Sequence, residues 1–178
     1  MRKKRFYCLI LKTVRSIGVL YAPENVDTQF GSEVEPVIVP CGMTFELRKG
    51  DYAPYMASNV SARFISFELK KLFEEFLPDN YPLEFIPMKI KSERFGDKTY
   101  YIPHFKVVFD VIDVEHSKVI PGTGVITVPC IDFEKAKDLD IFNNSAYFDS
   151  VVVSDRVKSE MKKRELDVGI QFWEWHSI

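Results

Sequence analysis

The sequence lacks long apolar runs, paired cysteines and an excess of charge of either sign. Its 178 residues carry 24 Lys and Arg against 26 Asp and Glu, for a net charge of −2. A chain so balanced has no overall field that would draw it to nucleic acid or to an anionic membrane. No run approaches the roughly 20 apolar residues of a membrane-spanning helix. We therefore expect neither a nucleic-acid nor a membrane partner.

Cysteine usage and the N-terminus point to a reducing compartment. The three cysteines, Cys8, Cys41 and Cys130, are odd in number and widely spaced, which is typical of free buried thiols rather than of a disulfide framework. The basic run Arg2-Lys3-Lys4-Arg5 imitates the start of a secretory signal, but the apolar stretch after it is interrupted at Lys12. We predict a cytoplasmic protein in which this basic run is a solvated tail.

Motifs of common enzymes are also missing. There is no Cys-x-x-Cys, His-Glu-x-x-His, phosphate-loop or dinucleotide glycine pattern, so the sequence predicts no catalytic residue, no metal ligand and no cofactor. Asp113, Glu115 and His116 form the one mixed carboxylate–imidazole cluster. A solvated loop after a strand is the more ordinary interpretation of that cluster, which nevertheless remains the best candidate site if the protein is an enzyme.

Length and composition favour one globular domain over residues 1–178. Hydrophobic residues make up 46% and charged residues 28% of the chain, which is ordinary for a globular protein, and this length suffices for a single core. An N-terminal part, 1–58, and a C-terminal part, 59–178, are the alternative division.

Two helices are predicted, each preceded by a serine. Apolar residues from Leu69 to Leu77 recur with helical spacing and follow Ser66. The second helix follows Ser154, with Asp155 in its first turn and Lys162-Lys163-Arg164 in its last, the order that the helix dipole favours. Both serines are predicted to be N-caps, because neither has the glycine flanks of a nucleophile elbow.

Strands account for most of the remaining pattern. Phe64-Ile65-Ser66 aligns with Val152-Val153-Ser154, and Phe85 with Phe172, which suggests an internal repeat of strand–helix–strand units. The fold class is therefore α+β, with mixed, largely antiparallel sheets and two capped helices. Strands are predicted at 6–13, 37–39, 44–48, 62–65, 83–90, 99–114 (one long or two shorter), 125–128, 151–153 and 170–175, with an irregular connection at 15–35 and a short acidic helix at 132–139.

Contact-prone side chains suggest a partner interface. Trp173 and Trp175 lie on one face of the last strand, where they either close the core, which we favour, or anchor an interface. Tyr52 and Tyr55 lie in a loop-like stretch. The acidic residues of the short helix at 132–139, and Asp140 just after it, could face a basic partner. A solvated helix face is the more ordinary interpretation. These acidic candidates are Asp132, Glu134, Asp138 and Asp140.

Several of these segments together resemble a known bacterial family. They are Phe64-Ile65-Ser66 with its helix, Leu83-Glu84-Phe85-Ile86-Pro87, Asp140-Ile141-Phe142, Val151-Val152-Val153-Ser154-Asp155-Arg156 with its helix, and Gly169-Ile170-Gln171-Phe172. The family was first described as a domain of unknown function and later grouped with the immunity proteins of polymorphic toxin systems. The similarity is best over about residues 60–178.

The resemblance implies a protein that binds and neutralises a cognate toxin in the cytosol, and it transfers no catalytic residue. Two other classes stay open from the residues alone: a small enzyme with its site near Asp113, Glu115 and His116, and a structural or regulatory module without catalysis. A deep pocket at that cluster would favour the enzyme. An exposed aromatic or acidic patch on a shallow surface would favour binding.

Overall fold

A computed structural model of the chain describes residues 3–12, 14–27, 30, 36–146 and 150–178. These residues form twelve strands and three helices. The strands are β1 (Phe6–Leu11), β2 (Leu20–Tyr21), β3 (Thr44–Leu47), β4 (Tyr55–Met56), β5 (Phe64–Ile65), β6 (Leu83–Lys91), β7 (Lys98–Phe105), β8 (Ile112–Val119), β9 (Ile126–Ile131), β10 (Ile141–Phe142), β11 (Val152–Ser154) and β12 (Ile170–Ser177); the helices are α1 (Phe67–Glu74), α2 (Phe133–Ala136) and α3 (Asp155–Lys163).

The strands form two six-stranded sheets with one common arrangement. The middle sheet has the order β4-β5-β7-β6-β3-β2, and the terminal sheet has the order β10-β11-β1-β12-β9-β8. In each sheet only the fourth and fifth strands are parallel, β6 with β3 and β12 with β9. All other neighbours are antiparallel. The predicted α+β class with mixed, largely antiparallel sheets is confirmed.

The first strand of the chain takes the place in the terminal sheet that β7 has in the middle sheet. β7 lies between β5 and β6 and pairs with both, and β1 lies in the same way between β11 and β12. The registers agree: Tyr101 faces Ile65 and Pro87, and Tyr7 faces Val153 and Glu174. The middle sheet therefore consists of consecutive strands, β2 to β7. The terminal sheet instead combines β8 to β12 with β1, from the other end of the sequence.

The two long helices begin in the same way. The backbone N–H of Leu69 donates to the Ser66 hydroxyl at 3.3 Å, and that of Val157 donates to the Ser154 hydroxyl at 3.4 Å. Each bond satisfies a backbone donor that the first turn of a helix leaves without an acceptor. The capping roles predicted for both serines are confirmed.

Both helices bury their apolar faces in a cluster shared by the two sheets. Leu69, Leu72 and Phe73 of α1 and Val157 and Met161 of α3 are fully buried there. Each such side chain stabilises the fold by roughly 1.5–3 kcal/mol relative to an exposed one. Isolated helices of eight and nine residues are only marginally stable in water. Packing against the sheets therefore stabilises both helices.

A lysine of each helix repeats the same contact with aromatic rings of its sheet. In each case the ammonium lies over one ring of the strand that follows the helix, β6 or β12. It also lies over one ring of the strand paired with it, β7 or β1, within reach of cation–π attraction. The two sets are Lys70 over Phe85 and Tyr101, and Lys158 over Phe172 and Tyr7. The equivalence of β1 and β7 thus extends to their side chains.

Three local predictions are wrong. Val37-Ile38-Val39 forms no strand, and Ile38 is 84% exposed; Pro36 and Pro40 flank this stretch, and a proline has no N–H for a ladder. The basic run, predicted to be a solvated tail, forms ion pairs: Lys4 pairs with Asp140 at 3.0 Å and Arg5 with Glu174 at 3.6 Å. The segment 15–35, predicted to be irregular, contains the strand β2. Arg2, Thr13 and residues 28–29 and 31–35 lie outside the described residues.

Candidate functional site

The three residues considered for an enzyme site lie at an irregularity of the edge strand β8. Asp113 pairs with Cys130 of β9, but the next registered pair joins Lys118 to Val128. Four residues of β8 therefore face one residue of β9, Pro129, which has no N–H to donate. The cluster that we expected in a solvated loop belongs to a β-bulge.

The side chain of Asp113 closes this bulge. Its Oδ1 accepts a hydrogen bond from the backbone N–H of His116 at 3.0 Å, and its Oδ2 lies 3.0 Å from Nδ1 of the same residue. The backbone bond, followed by the ring contact, lowers the pKa of Asp113 below its usual value. Glu115 and His116 are exposed. Within the described ranges, no group of three or more His, Cys, Asp or Glu residues is arranged to hold a metal ion.

The cysteines divide by exposure. Cys8 and Cys130 are buried in strands, and burial raises the pKa of the Cys130 thiol. Cys41 is exposed in the turn between Pro40 and Gly42, so its predicted burial is wrong. The proline before it, which cannot donate to a ladder, is the local signal for that turn.

The acidic residues near α2 are largely engaged with the chain itself. Asp132 caps the helix by accepting from the backbone N–H groups of Glu134 and Lys135 at 3.1 and 3.4 Å. The carboxylate of Glu134 pairs with Lys137 at 2.7 Å. Asp138 is exposed. The predicted short acidic helix is present, but its charges do not form an uncompensated acidic face.

Asp140 is the candidate with the most contacts described here, and its side chain is only 13% exposed. It pairs with Lys4 at 3.0 Å and with Arg156 at 3.5 Å. Its Oδ1 also accepts a hydrogen bond from the Ser154 hydroxyl at 2.5 Å. The carboxylate therefore ties the N-terminus, the cap of α3 and the start of β10 together.

The two tryptophans differ in exposure although they share a face of β12. Their rings meet edge to face with centroids 5.8 Å apart. Trp175 is 2% exposed and belongs to the cluster beneath α2, which is the core position that we favoured. Trp173 is half-buried and lines a cavity of about 250 Å³ with Cys8 and Leu11. An interface role would fall to Trp173, and it stays a prediction.

The two tyrosine candidates also separate. Tyr55 is 1% exposed in the cluster between the sheets. Tyr52 is half-buried and stacks on Tyr100 with ring centroids 5.6 Å apart. Its hydroxyl donates to the carbonyl of Gly96 at 3.1 Å. Of the two, only Tyr52 lies at a surface that a partner could reach in this structure.

Beside Tyr52 lies a cleft that the sequence did not suggest. It encloses about 620 Å³ between residues 46–50, at the end of β3, and residues 91–94, at the end of β6. We call it the basic cleft, because its lining contains Arg48, Lys49, Lys91 and Arg94 against Glu46 and Glu93. The two basic turns lie 41 or more positions apart in the sequence, and only the parallel pairing of β3 with β6 brings them together.

A second exposed feature is the β8–β9 hairpin. Val114, Ile120 and Val125 are 60%, 45% and 54% exposed. β8 is also the edge of the terminal sheet and is eight residues long, whereas the other three edge strands, β2, β4 and β10, have two residues each. Long edge strands are available for pairing with another chain, although the bulge interrupts this one.

Comparison with known proteins identifies the family. Among the described residues, no helix has the length and apolar character needed to cross a bilayer. A comparison with curated proteins gives no match. A family model described as Immunity protein family (Imm11) matches residues 19–177. The match extends the similarity seen at about 60–178 toward the N-terminus, so that it includes all six strands of the middle sheet. The chain belongs to the Imm11 family of immunity proteins.

Proposed function

We propose that this protein neutralises a cognate bacterial toxin of a polymorphic toxin system by binding it directly in the cytoplasm. The observation that carries the proposal is the family match over residues 19–177. Direct binding needs a complementary surface and no chemistry of its own. The whole chain, 1–178, is the proposed unit, since the central cluster takes side chains from both sheets.

Binding is favoured over catalysis by the character of the carboxylate–imidazole cluster. Its carboxylate and imidazole bond to each other, and Asp113 also holds the backbone of a bulge. Glu115 and His116 are exposed on an edge strand, where water would screen any charge they bring to a reaction. A neutralising enzyme would be expected to enclose such groups.

The direct test is rescue of growth during co-expression with the toxin domain encoded next to this chain's gene. The intact chain should restore growth and co-purify with the toxin as a stable complex. A chain that neither binds the toxin nor restores growth would contradict the proposal.

A paired variant separates binding from catalysis. Glu115→Gln with His116→Ala removes two exposed functional groups and leaves Asp113 and its backbone bond in place. This variant should rescue growth as well as the parent. If it bound the toxin normally and failed to rescue, neutralisation would depend on chemistry at this cluster, and the enzyme hypothesis would replace ours.

A further inference from the structure

The basic cleft is formed by two strands that end at the same edge of the middle sheet. β3 and β6 are parallel, and Glu46 faces Lys91 in their last registered pair. Because parallel strands end on the same side, the turns after them stand opposite each other. Arg48 and Lys49 lie on one turn, and Arg94 lies on the other.

The turn that carries Lys49 is fixed in place by a close backbone contact. Gly50 has φ +79°, and a Cβ at this position would lie 2.5 Å from the backbone nitrogen of Gly18. That nitrogen donates to the carbonyl of Asp51 at 3.1 Å, and the backbone N–H of Asp51 donates to the carbonyl of Ser16 at 2.5 Å. Only glycine fits this left-handed, tightly approached position.

The opposite turn is fixed by Tyr52 and by its own backbone. The backbone N–H of Gly96 donates to the carbonyl of Ser92 at 3.0 Å, and the Tyr52 hydroxyl donates to the carbonyl of Gly96. Lys98 lies over the Tyr52 ring at 4.5 Å from its centroid. Both walls of the cleft are therefore ordered before any partner arrives, which lowers the entropy cost of binding.

The rim of the cleft has the composition of a protein interface. The Arg48 guanidinium lies 4.7 Å from the ring centroid of Tyr21, and that of Arg94 lies 4.6 Å from the ring centroid of Phe95. Tyr21 and Phe95 are 36% and 38% exposed. Arginine and aromatic residues are enriched in protein interfaces and among the residues that dominate binding energy.

The charge of the cleft specifies the chemistry of its partner. Arg48 pairs with Glu46 at 3.0 Å, and Arg94 lies 3.7 Å from Asp51. In the described ranges, Lys49 and Lys91 have no such carboxylate partner. Both are exposed. Glu93 is the one acidic lining residue without an ion pair among the described residues, so the cleft keeps an excess of positive charge on a chain whose net charge is −2.

We propose that the basic cleft docks an acidic segment of the toxin, with Asp or Glu side chains reaching Lys49 and Lys91 and apolar groups covering Tyr21 and Phe95. This inference rests on the proposed function. The β8–β9 hairpin offers apolar side chains without a charge pattern that would select a partner, and it serves as the competing surface in the test.

The test measures binding of the catalytically inactivated toxin domain encoded beside this chain's gene. The cleft variant is Lys49→Glu with Lys91→Glu in the full chain. It should associate about tenfold or more slowly at 50 mM NaCl, and the difference should shrink near 500 mM, because charges at an interface rim act mainly on association and are screened by salt. Thermal unfolding should be unchanged, since both lysines are exposed.

Two matched variants make the result specific. Lys162→Glu with Lys163→Glu reverses the same number of exposed charges on α3 and should bind like the parent. Val125→Asp alters the competing hairpin and should also bind like the parent. Parental binding by the cleft variant, or a loss confined to Val125→Asp, overturns the docking surface and leaves the proposed function intact. Absence of binding by the parent chain refutes both.

Discussion

The two capping serines allow one prediction with an internal control. Ser66→Ala and Ser154→Ala delete the same hydroxyl at the same position of equivalent helices. Loss of a serine cap costs about 1 kcal/mol, within a range of roughly 0.5–2 kcal/mol. The Ser66 hydroxyl makes only the capping bond among the contacts described above. The Ser154 hydroxyl makes the capping bond and also donates to the carboxylate of Asp140.

The second bond sets the expected difference. A hydrogen bond to a charged group contributes about 1.5–3 kcal/mol, and Asp140 retains Lys4 and Arg156 when the hydroxyl is lost, which favours the lower part of that range. We expect Ser66→Ala to cost about 1 kcal/mol and Ser154→Ala to cost about 2.5–3 kcal/mol.

Urea unfolding at pH 7 measures both free energies. With a denaturant slope of about 2 kcal/mol/M, the midpoints of the two variants should differ by roughly 0.8–1 M. Ser159→Ala is the control, because it makes the same chemical change at an exposed site within α3 and should leave stability within about 0.5 kcal/mol. Equal losses at Ser66 and Ser154 would refute a stabilising role for the bond to Asp140.

Topology, thiol burial and a buried imidazole each allow a further test. A circular permutant that joins the two termini by a short loop and opens the chain between β1 and β2 should fold with a melting temperature within about 5 °C of the parent; an unfolded product would contradict the equivalence of β1 and β7. Cys41 should react with a chromogenic disulfide at the rate of a free thiol, and Cys8 and Cys130 should react only as the chain opens; three equal rates would count against this burial. Burial lowers the pKa of His104 below its usual 6.5, so the folded state favours the neutral ring. That stabilisation is present above pH 6.5 and is lost as the pH falls through the lowered pKa; an NMR titration midpoint above 6.5 would be inconsistent with it.

Local signals were sufficient for the two long helices and most of the strands. A serine, a helical apolar face and a following proline or glycine act within one or two turns, so Ser66 and Ser154 could be assigned from neighbouring residues alone. The same locality explains the error at 37–39, where three β-branched residues predicted a strand and the flanking prolines prevented one.

Long-range pairing was outside the reach of such signals. Nothing near Phe6 indicates that it will face Trp175, and nothing near Lys49 indicates that Lys91 will stand across from it. The basic cleft depends on the parallel pairing of β3 and β6, and so none of its lining residues was predicted; only Tyr52, which bonds to one of its turns, was. The bulge at Asp113 was missed for a related reason, since bulges depend on the partner strand.

The position of β1 has a consequence for synthesis of the protein. β1 leaves the ribosome before the other strands, and its neighbours in the terminal sheet, β11 and β12, are made about 145 and 165 residues later. At 5–20 residues per second, this apolar strand waits roughly 7–33 s for its partners. The middle sheet, whose strands are consecutive, can close before β11 and β12 are made, whereas the terminal sheet cannot. Until β11 and β12 are made, both edges of Phe6–Leu11 are unpaired in the nascent chain. Aggregation of the nascent chain in the cell should therefore increase with the time that translation takes to reach these strands.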